Sequence, residues 1–332
     1  MTGKLGPEAL AAVLDATGVD DPAVLQGAAY GEDAAAIDLG DRTLVVSTDP
    51  LSLAAEAVGR LAVHVACNDV AASGAEPRWL TNTVLLPDDD PDRLGTVAEQ
   101  VDETARSVDV TVVGGHTEVV PSLERPLLSM TAFGTTDRFL PSGGVAPGDR
   151  ILLTSGAGIE ATGILATDFR EACLDAGVDE TTLDAAAGFL DDVSVIGDAR
   201  VLRDISTALH DPTEGGVLTG LVEMASASEL VLEISRASVP VRPETAACCA
   251  ALDVDPLATF GSGALLAAVP EAAVADALAA LDDAGLDGAV IGTACATGDA
   301  NPASESLAPG TVLLDGDPIT EPPRDELYPL WE

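Results

Sequence analysis

Five short stretches set acids or small polar residues beside glycine or at the ends of apolar runs. They are Gly31-Glu32-Asp33-Ala34, Ser47-Thr48-Asp49, Asn68-Asp69, Gly114-Gly115-His116-Thr117 and His210-Asp211-Pro212-Thr213-Glu214-Gly215-Gly216. A phosphate-bound Mg²⁺ takes octahedral oxygen ligands and shares them with the phosphate, so it asks for a few carboxylates and exposed backbone amides. The first four stretches supply both. In the fifth, a glycine pair leads into a helix expected to begin near Val217, which turns free N–H groups and the positive helix end toward a ligand anion. A second such turn, Thr154-Ser155-Gly156-Ala157-Gly158-Ile159-Glu160, is a weaker candidate. No GxxxxGK[ST] motif occurs and Lys4 is the only lysine, so a P-loop mechanism is excluded.

Taken singly, Asp33 is equally a turn residue, and Asp49 before Pro50 is equally a strand end. Asn68-Asp69 is the most telling pair, because two polar residues between Ala66-Cys67 and Val70-Ala71 lower the stability of an apolar helix. Of the three histidines, His64, His116 and His210, the last two adjoin these stretches. An imidazole there can act as acid or base, or hydrogen-bond a phosphate. For His210 a purely structural place serves equally well.

The elements that must hold these residues are legible from periodicity and punctuation. A helix is expected over Leu5 to Gly18, and strands over Ala34 to Leu39 and Thr43 to Ser47 with a turn at Gly40-Asp41. A helix from Glu56 to Ser73 stops at Gly74 with Pro77 beyond it. A strand over Leu80 to Leu86 leads through the run Pro87 to Asp92, a solvated acidic cap, into a helix carrying Leu94, Val97, Val101 and Ala105. Strands at Val110 to Val113 and Leu127 to Phe133 complete a β-rich first part.

Punctuation at Gly143-Gly144 and Pro147-Gly148-Asp149 marks a boundary. The expected division is an N-terminal domain over residues 1–146 and a C-terminal α/β domain over 147–332, an α+β chain overall. The second part alternates strands (Ile151 to Thr154, Ser206 to Leu209, Leu230 to Ile234, Ala264 to Val269, Ala289 to Ile291) with helices (Ala161 to Thr167, Thr181 to Leu190, Ile196 to Leu202, Val217 to Ala227, Glu271 to Ala284). Pro309 to Leu314 reads as a closing strand and Glu321 to Glu332 as a tail.

The chain has 332 residues with 15 Lys+Arg against 56 Asp+Glu, a formal net charge of −41. Nucleic-acid binding through a basic face and docking on anionic lipid are both excluded. With 47% hydrophobic residues the chain still has the means to form a core. Its lysine-poor, aspartate-rich make-up resembles that of proteins from extreme halophiles, where molar salt screens self-repulsion over about 3 Å. No run of about 18 apolar residues and no export signal stands in the sequence, so a cytoplasmic protein is expected. The five cysteines lack CxxC spacing and are odd in number, which reads as reduced thiols.

In order and spacing the motifs resemble the aminoimidazole ribonucleotide synthetase superfamily, ATP-dependent enzymes that include thiamine-monophosphate kinase, selenophosphate synthetase and the hydrogenase-maturation carbamoyl dehydratase. The residues that carry the resemblance are Gly31 to Ala35, Ser47 to Asp49, the helix from Gly59-Arg60-Leu61-Ala62 through Asn68-Asp69-Val70-Ala71 to Gly74-Ala75-Glu76-Pro77, Gly114 to Thr117, and Asp211 to Gly216. The hydrogenase-maturation branch is the most similar, through Gly148-Asp149-Arg150-Ile151 leading into Ser155-Gly156.

The resemblance implies ATP and Mg²⁺ in a cleft between the domains and a homodimer paired through the N-terminal β segments. It implies Asp33, Asp49, Asp69 and Asp211 at the metal and His116 and Asp211 as catalytic groups. Gly31, Thr48, Asn68, Gly114, Gly115, Thr117, Thr213, Gly215 and Gly216 join the aspartates around the nucleotide. That branch works on a cysteine at its own C-terminus, whereas the last cysteine here is Cys295, and it usually carries Arg where Glu214 stands. The acceptor, small-molecule or protein-borne, is therefore left open, with a thiamine-phosphate-type kinase and a non-catalytic nucleotide-binding accessory protein as alternatives.

Screening a −41 surface should outweigh the loss of exposed ion pairs, each of which contributes about 1 kcal/mol or less. The expected outcome is a thermal midpoint that climbs from dilute buffer into molar KCl. A flat or falling midpoint refutes the halophile reading.

Overall fold

A computed structural model describes residues 7–14, 16, 18–52, 57–296 and 307–332. Lys4, Leu5 and Glu56, the last two being the first residues of two expected helices, lie outside them. The chain is α+β and builds two sheets in succession. The first takes β1 (Val24–Gln26), β2 (Ala35–Asp38), β3 (Thr43–Leu51), β4 (Glu76–Leu86), β5 (Thr111–Val119) and β6 (Leu127–Thr136) in the order β1-β2-β3-β6-β4-β5. Only the β4–β5 pair is parallel. Helix α1 (Pro7–Leu14) precedes this sheet. Helices α2 (Val58–Ala72) and α3 (Pro91–Ser107) follow β3 and β4.

The second sheet runs β13-β12-β9-β11-β7-β10-β8. Its strands are β7 (Arg150–Thr154), β8 (Ala208–His210), β9 (Val231–Ile234), β10 (Leu266–Val269), β11 (Gly288–Cys295), β12 (Thr311–Leu314) and β13 (Asp317–Ile319). Between them lie α4 (Ile159–Thr167), α5 (Arg170–Asp175), α6 (Glu180–Ala187), α7 (Ile196–Leu202), α8 (Gly216–Ser228), α9 (Pro243–Ala251) and α10 (Val274–Asp283), with α11 (Tyr328–Trp331) beyond β13.

Helix α2 joins the halves. It is apolar nearly all round, as a helix enclosed on every side must be. Its Val63, Ala66, Cys67 and Val70 share one core with Leu80, Met130 and Ala132 of the first sheet and with Ile196, Leu202, Leu152 and Ala267 of the second half. A second core packs Val217, Leu221 and Met224 of α8 against the other face of the second sheet. A third holds α4, α6 and α9 together with Leu327 and Tyr328.

Several expectations shift in the structure. Strand β3 continues through Asp49 and Pro50 to Leu51, so Asp49 lies within a strand. Strand β5 does not stop at Val113 but carries Gly114 to Thr117 inside it. Gly115 is tolerated there for a steric reason, since a Cβ would stand 1.9 Å from Asn82 Oδ1. The expected closing strand, β12, pairs in parallel with β9 and is followed by β13, which forms the edge. The expected tail is docked, with Leu327 and Tyr328 buried. Among the described residues no helix is long and apolar enough to cross a membrane.

Asn68 is fully buried, and its amide is committed on both sides. Nδ2 donates to Val193 O at 2.8 Å, and Oδ1 accepts the Val195 N–H at 3.0 Å. Asn68 therefore ties α2 to the start of α7 and does not face a ligand. Asn68→Ala would leave two buried backbone groups unpaired, at a cost of about 2–4 kcal/mol in denaturant unfolding. Nucleotide affinity of the folded protein should not change, and a selective loss of affinity would refute this placement.

Candidate active site

A cleft of about 390 Å³ opens where the first sheet, α2 and the second half meet. Four elements bring aspartates to it. Asp33 comes from the loop before β2, Asp49 from β3, Asp69 from α2, and Asp211 from the turn after β8. Glu32, Glu160, Glu214 and Glu223 line it as well, along with Gly31, Thr213, Phe260 and Ser262. No lysine or arginine is among the described lining residues.

Ser47 sits between two of the aspartates. Its hydroxyl hydrogen-bonds Asp69 closely and lies 3.5 Å from Asp49 Oδ2. A single hydroxyl proton satisfies one carboxylate at a time. Burial, and then the charges of Asp49 and Asp211, push the Asp69 carboxyl well above the ordinary aspartate range. Asp211 is shifted the same way, by burial first and then by Asp33. Both Asp211 carboxyl oxygens are buried without a hydrogen-bond partner.

Among the described residues, His210 is the basic side chain set against this wall. Its Nδ1 stands 2.9 Å from Asp33 Oδ1, and its Nε2 stands 3.2 Å from Glu223 Oε2. Burial alone pulls the imidazole pKa down, but the two carboxylates together outweigh it and hold it well above the usual histidine value. Ser142 Oγ lies 3.2 Å from Asp33 Oδ2 and 3.1 Å from His210 Nδ1. Glu32 accepts the backbone N–H groups of Ser142 and Gly143, each at 3.0 Å. Gly31, at φ +83°, presses on the α8 backbone, where a Cβ would meet Glu223 O at 2.7 Å. The 31–33 loop is thus locked against the second half.

The donors in the cleft are hard oxygens, two of them buried and unpaired, which suits Mg²⁺ shared with phosphates and water. No group of three or more His, Cys, Asp or Glu among the described residues is set to hold an ion by itself. Asp33, Asp49, Asp69 and Asp211 are the residues that would hold one together with a phosphate.

Other expected site residues lie elsewhere. Thr48 is on the opposite face of β3 from Ser47 and Asp49, with its Oγ1 2.9 Å from Thr131 Oγ1. Gly114, Gly115, His116 and Thr117 belong to the exposed edge strand β5, three strand spacings or about 14 Å from β3. His116 Nε2 stands 3.5 Å from Glu118 Oε2, and Thr117 faces a separate groove beside α3. At the turn before α4, Ala157 N–H is taken by Pro240 O and Glu160 N–H by Ser262 O, so it holds no open anion cradle.

The sequence reading names Glu160 only as the end of a weaker anion-binding turn, passes over Glu223 and leaves His210 open. The available signal is a lone acid inside an otherwise apolar helix, since Glu160 follows Ile159 in α4 and Glu223 stands between Val222 and Met224 in α8. Burial, helped by the charges of Asp325 and Glu214, raises the Glu160 carboxyl to about 7.

An acid with a raised folded pKa destabilises the fold above that pKa, and the penalty is relieved as pH falls toward its ordinary value. For Glu160 the window runs from about 7 down to 4.5. His210 acts in the same direction, because its stabilisation is complete below 6.5 and is lost as pH rises through its raised pKa. His64, lowered to about 4 by burial, opposes both between 6.5 and 4. The apo protein should melt higher near pH 5.5 than near pH 8. Glu160→Gln should gain up to ~3 kcal/mol near pH 8 and flatten that slope. An unchanged slope in the variant refutes the assignment.

Comparisons with known proteins place this geometry in a family. The model of the AIR synthase related protein N-terminal domain matches residues 31–136, and that of the C-terminal domain matches residues 146–302. A carbamoyl dehydratase HypE of Escherichia coli (strain K12) is 33% identical over 282 residues, 79% of this chain and 80% of that protein. A crystal structure of hydrogenase maturation protein HypE in complex with ATP superposes with a TM-score of 0.67 at 26% identity, covering 98% of this chain and 96% of that one. The fold is also shared with AaThiL complexed with AMPPCP and TMP, with a TM-score of 0.73 at 21% identity over 96% and 97% of the two chains. With both domain models matched in order and a relative this similar over most of its length, the chain belongs to the AIR synthase-related family.

Proposed function

We propose that this chain is a Mg²⁺-dependent, ATP-using enzyme that activates an acceptor oxygen by phosphoryl transfer, in the manner of the hydrogenase-maturation branch. The observation that carries it is the meeting of Asp33, Asp49, Asp69 and Asp211 in one cleft, with both Asp211 oxygens unpaired. A relative that binds ATP, the HypE structure, and one named carbamoyl dehydratase support it.

When bound, Mg²⁺ neutralises phosphate charge and aligns the transferring group. The chain's own residues do the positioning. Ser47 orients Asp69, His210 and Ser142 fix Asp33, and Asp211 offers an oxygen acceptor deep in the cleft. No nucleophile need come from the protein.

A homodimer is part of the reading. The face of the first sheet away from α2 carries Thr48, Thr131 and Phe133, together with His116 on the edge strand β5 beyond β4. Within one chain His116 does not reach the cleft, so its catalytic role holds only if a second copy takes it in. The domain division near residue 146 and a cytoplasmic site of action belong to the same reading.

Single-turnover assays in molar KCl with candidate acceptors test it. Acceptor-dependent ADP formation means an enzyme, thiamine monophosphate as the active acceptor selects the kinase alternative, and tight binding without ADP means an accessory protein. Asp69→Asn should abolish Mg·ATP binding and leave the apo protein as stable or slightly more so, because a buried charge with a raised pKa is removed. Unfolding with unchanged affinity in the folded remainder would sink the site.

A further inference from the structure

The glycine pair before α8 has the form of an anion cradle, yet the chain fills it. Gly215 and Gly216 hold φ +71° and +60°, where a side chain would be strained. Of the amides at this helix start, Gly216 N–H donates to Thr213 O at 2.9 Å and Leu218 N–H to Leu257 O at 3.0 Å. Gly215 N–H donates to the carboxylate of Asp325 at 2.7 Å. Asp325 is buried, and its other oxygen accepts Leu327 N–H at 2.9 Å.

The segment that carries Asp325 is fastened along its length. Glu326 N–H donates to Ala258 O, and the Glu326 carboxylate accepts Asp255 N–H. Tyr328 and Trp331 meet Phe260, a residue of the cleft, edge-on at 5.6 and 6.3 Å. At the same turn, Thr219 Oγ1 is buried without a hydrogen-bond partner, and a Cβ on Gly215 would stand 2.2 Å from it. A donor amide and the positive end of a thirteen-residue helix therefore face one carboxylate, which also accepts the Thr259 hydroxyl at 3.4 Å, and the unpartnered Thr219 hydroxyl lies beside Gly215.

We propose that the segment Arg324–Glu332 is a built-in strap whose Asp325 occupies the phosphate-type cradle at the start of α8 and closes it to ligand anions. Asp325 is a positioning residue. By holding this turn it sets Thr213 and Glu214 at the cleft wall, and it leaves the aspartates of the cleft as the place where nucleotide phosphates are held. That last step rests on the Mg·ATP reading, whereas the closed cradle does not.

The test uses inorganic phosphate, without nucleotide, on the full chain at the salt concentration that keeps it folded. Asp325→Ala frees Gly215 N–H, beside the already unpartnered Thr219 Oγ1, and should bind phosphate at least about tenfold more tightly than the parent. Asp325→Asn keeps an oxygen acceptor for Gly215 N–H and should stay within about twofold of it. A merely structural role for Asp325 predicts no gain in either variant.

Should Asp325→Ala fail to fold, the parent protein decides by NMR. Its Gly215 amide resonance should not move on phosphate addition, and a saturable shift would overturn the proposal. A folded Asp325→Ala with no gain in phosphate affinity overturns it too. Failure of the parent to bind Mg·AMPPCP refutes the nucleotide reading and leaves this result standing.

Discussion

Mutual repulsion among buried carboxylates is the constraint on which the rest of the structure depends. Two such charges 4 Å apart repel by about 4 kcal/mol at an effective dielectric near 20. Eight acids among the described residues line one cleft. The fold keeps them together by three means: burial that raises the proton affinity of Asp69, Asp211 and Glu160, a buried imidazole between Asp33 and Glu223, and hydroxyl or amide donors from Ser47, Ser142 and Gly143.

That arrangement needs the two halves fixed against each other, because each contributes acids to the same cleft. Asn68 and the apolar surface of α2 make the joint. Arg138 adds to it by donating to Arg203 O and Ser206 O at 2.7 and 2.8 Å, and Arg200 pairs with Glu76 across the same seam. Aspartates on a freely hinged cleft would separate under their own repulsion. A joint of core packing and committed hydrogen bonds opposes that separation, which is why polar groups lie inside an otherwise apolar helix.

Much of this is legible in the sequence. Periodicity and punctuation give α2, α3, α7 and most strands of both sheets, though not β1 or β13, and the order of motifs gives the aspartates. What stays hidden is mostly direction. Successive residues on a helix turn by about 100°, so Asn68 and Asp69 cannot both face one cleft, and on a strand Thr48 and Asp49 must point to opposite faces. Glycine is the other source of ambiguity. The same residue type serves a left-handed turn at Gly215 and a close approach to Asn82 at Gly115, and only coordinates show which neighbour requires it. Asp325 is invisible in advance because its partner lies 110 residues away, across a contact that no local pattern records.

Surface and cleft answer differently to solvent, and this sets the order in which they act. The arginines at the surface, such as Arg42 with Asp137, Arg106 with Asp102 and Arg324 with Glu332, form exposed pairs that contribute little and are screened by salt. The same screening relieves the repulsion of the acidic surface, so molar salt removes most of the penalty for a net charge of −41. Asp69 and Asp211 lie out of reach of that screening. Salt that quietens the exterior does not reach the cleft, whose carboxylates rely on the hydroxyl, amide and imidazole groups packed against them. The cleft carboxylates are therefore balanced by groups of the fold itself under the conditions in which the surface is balanced by salt.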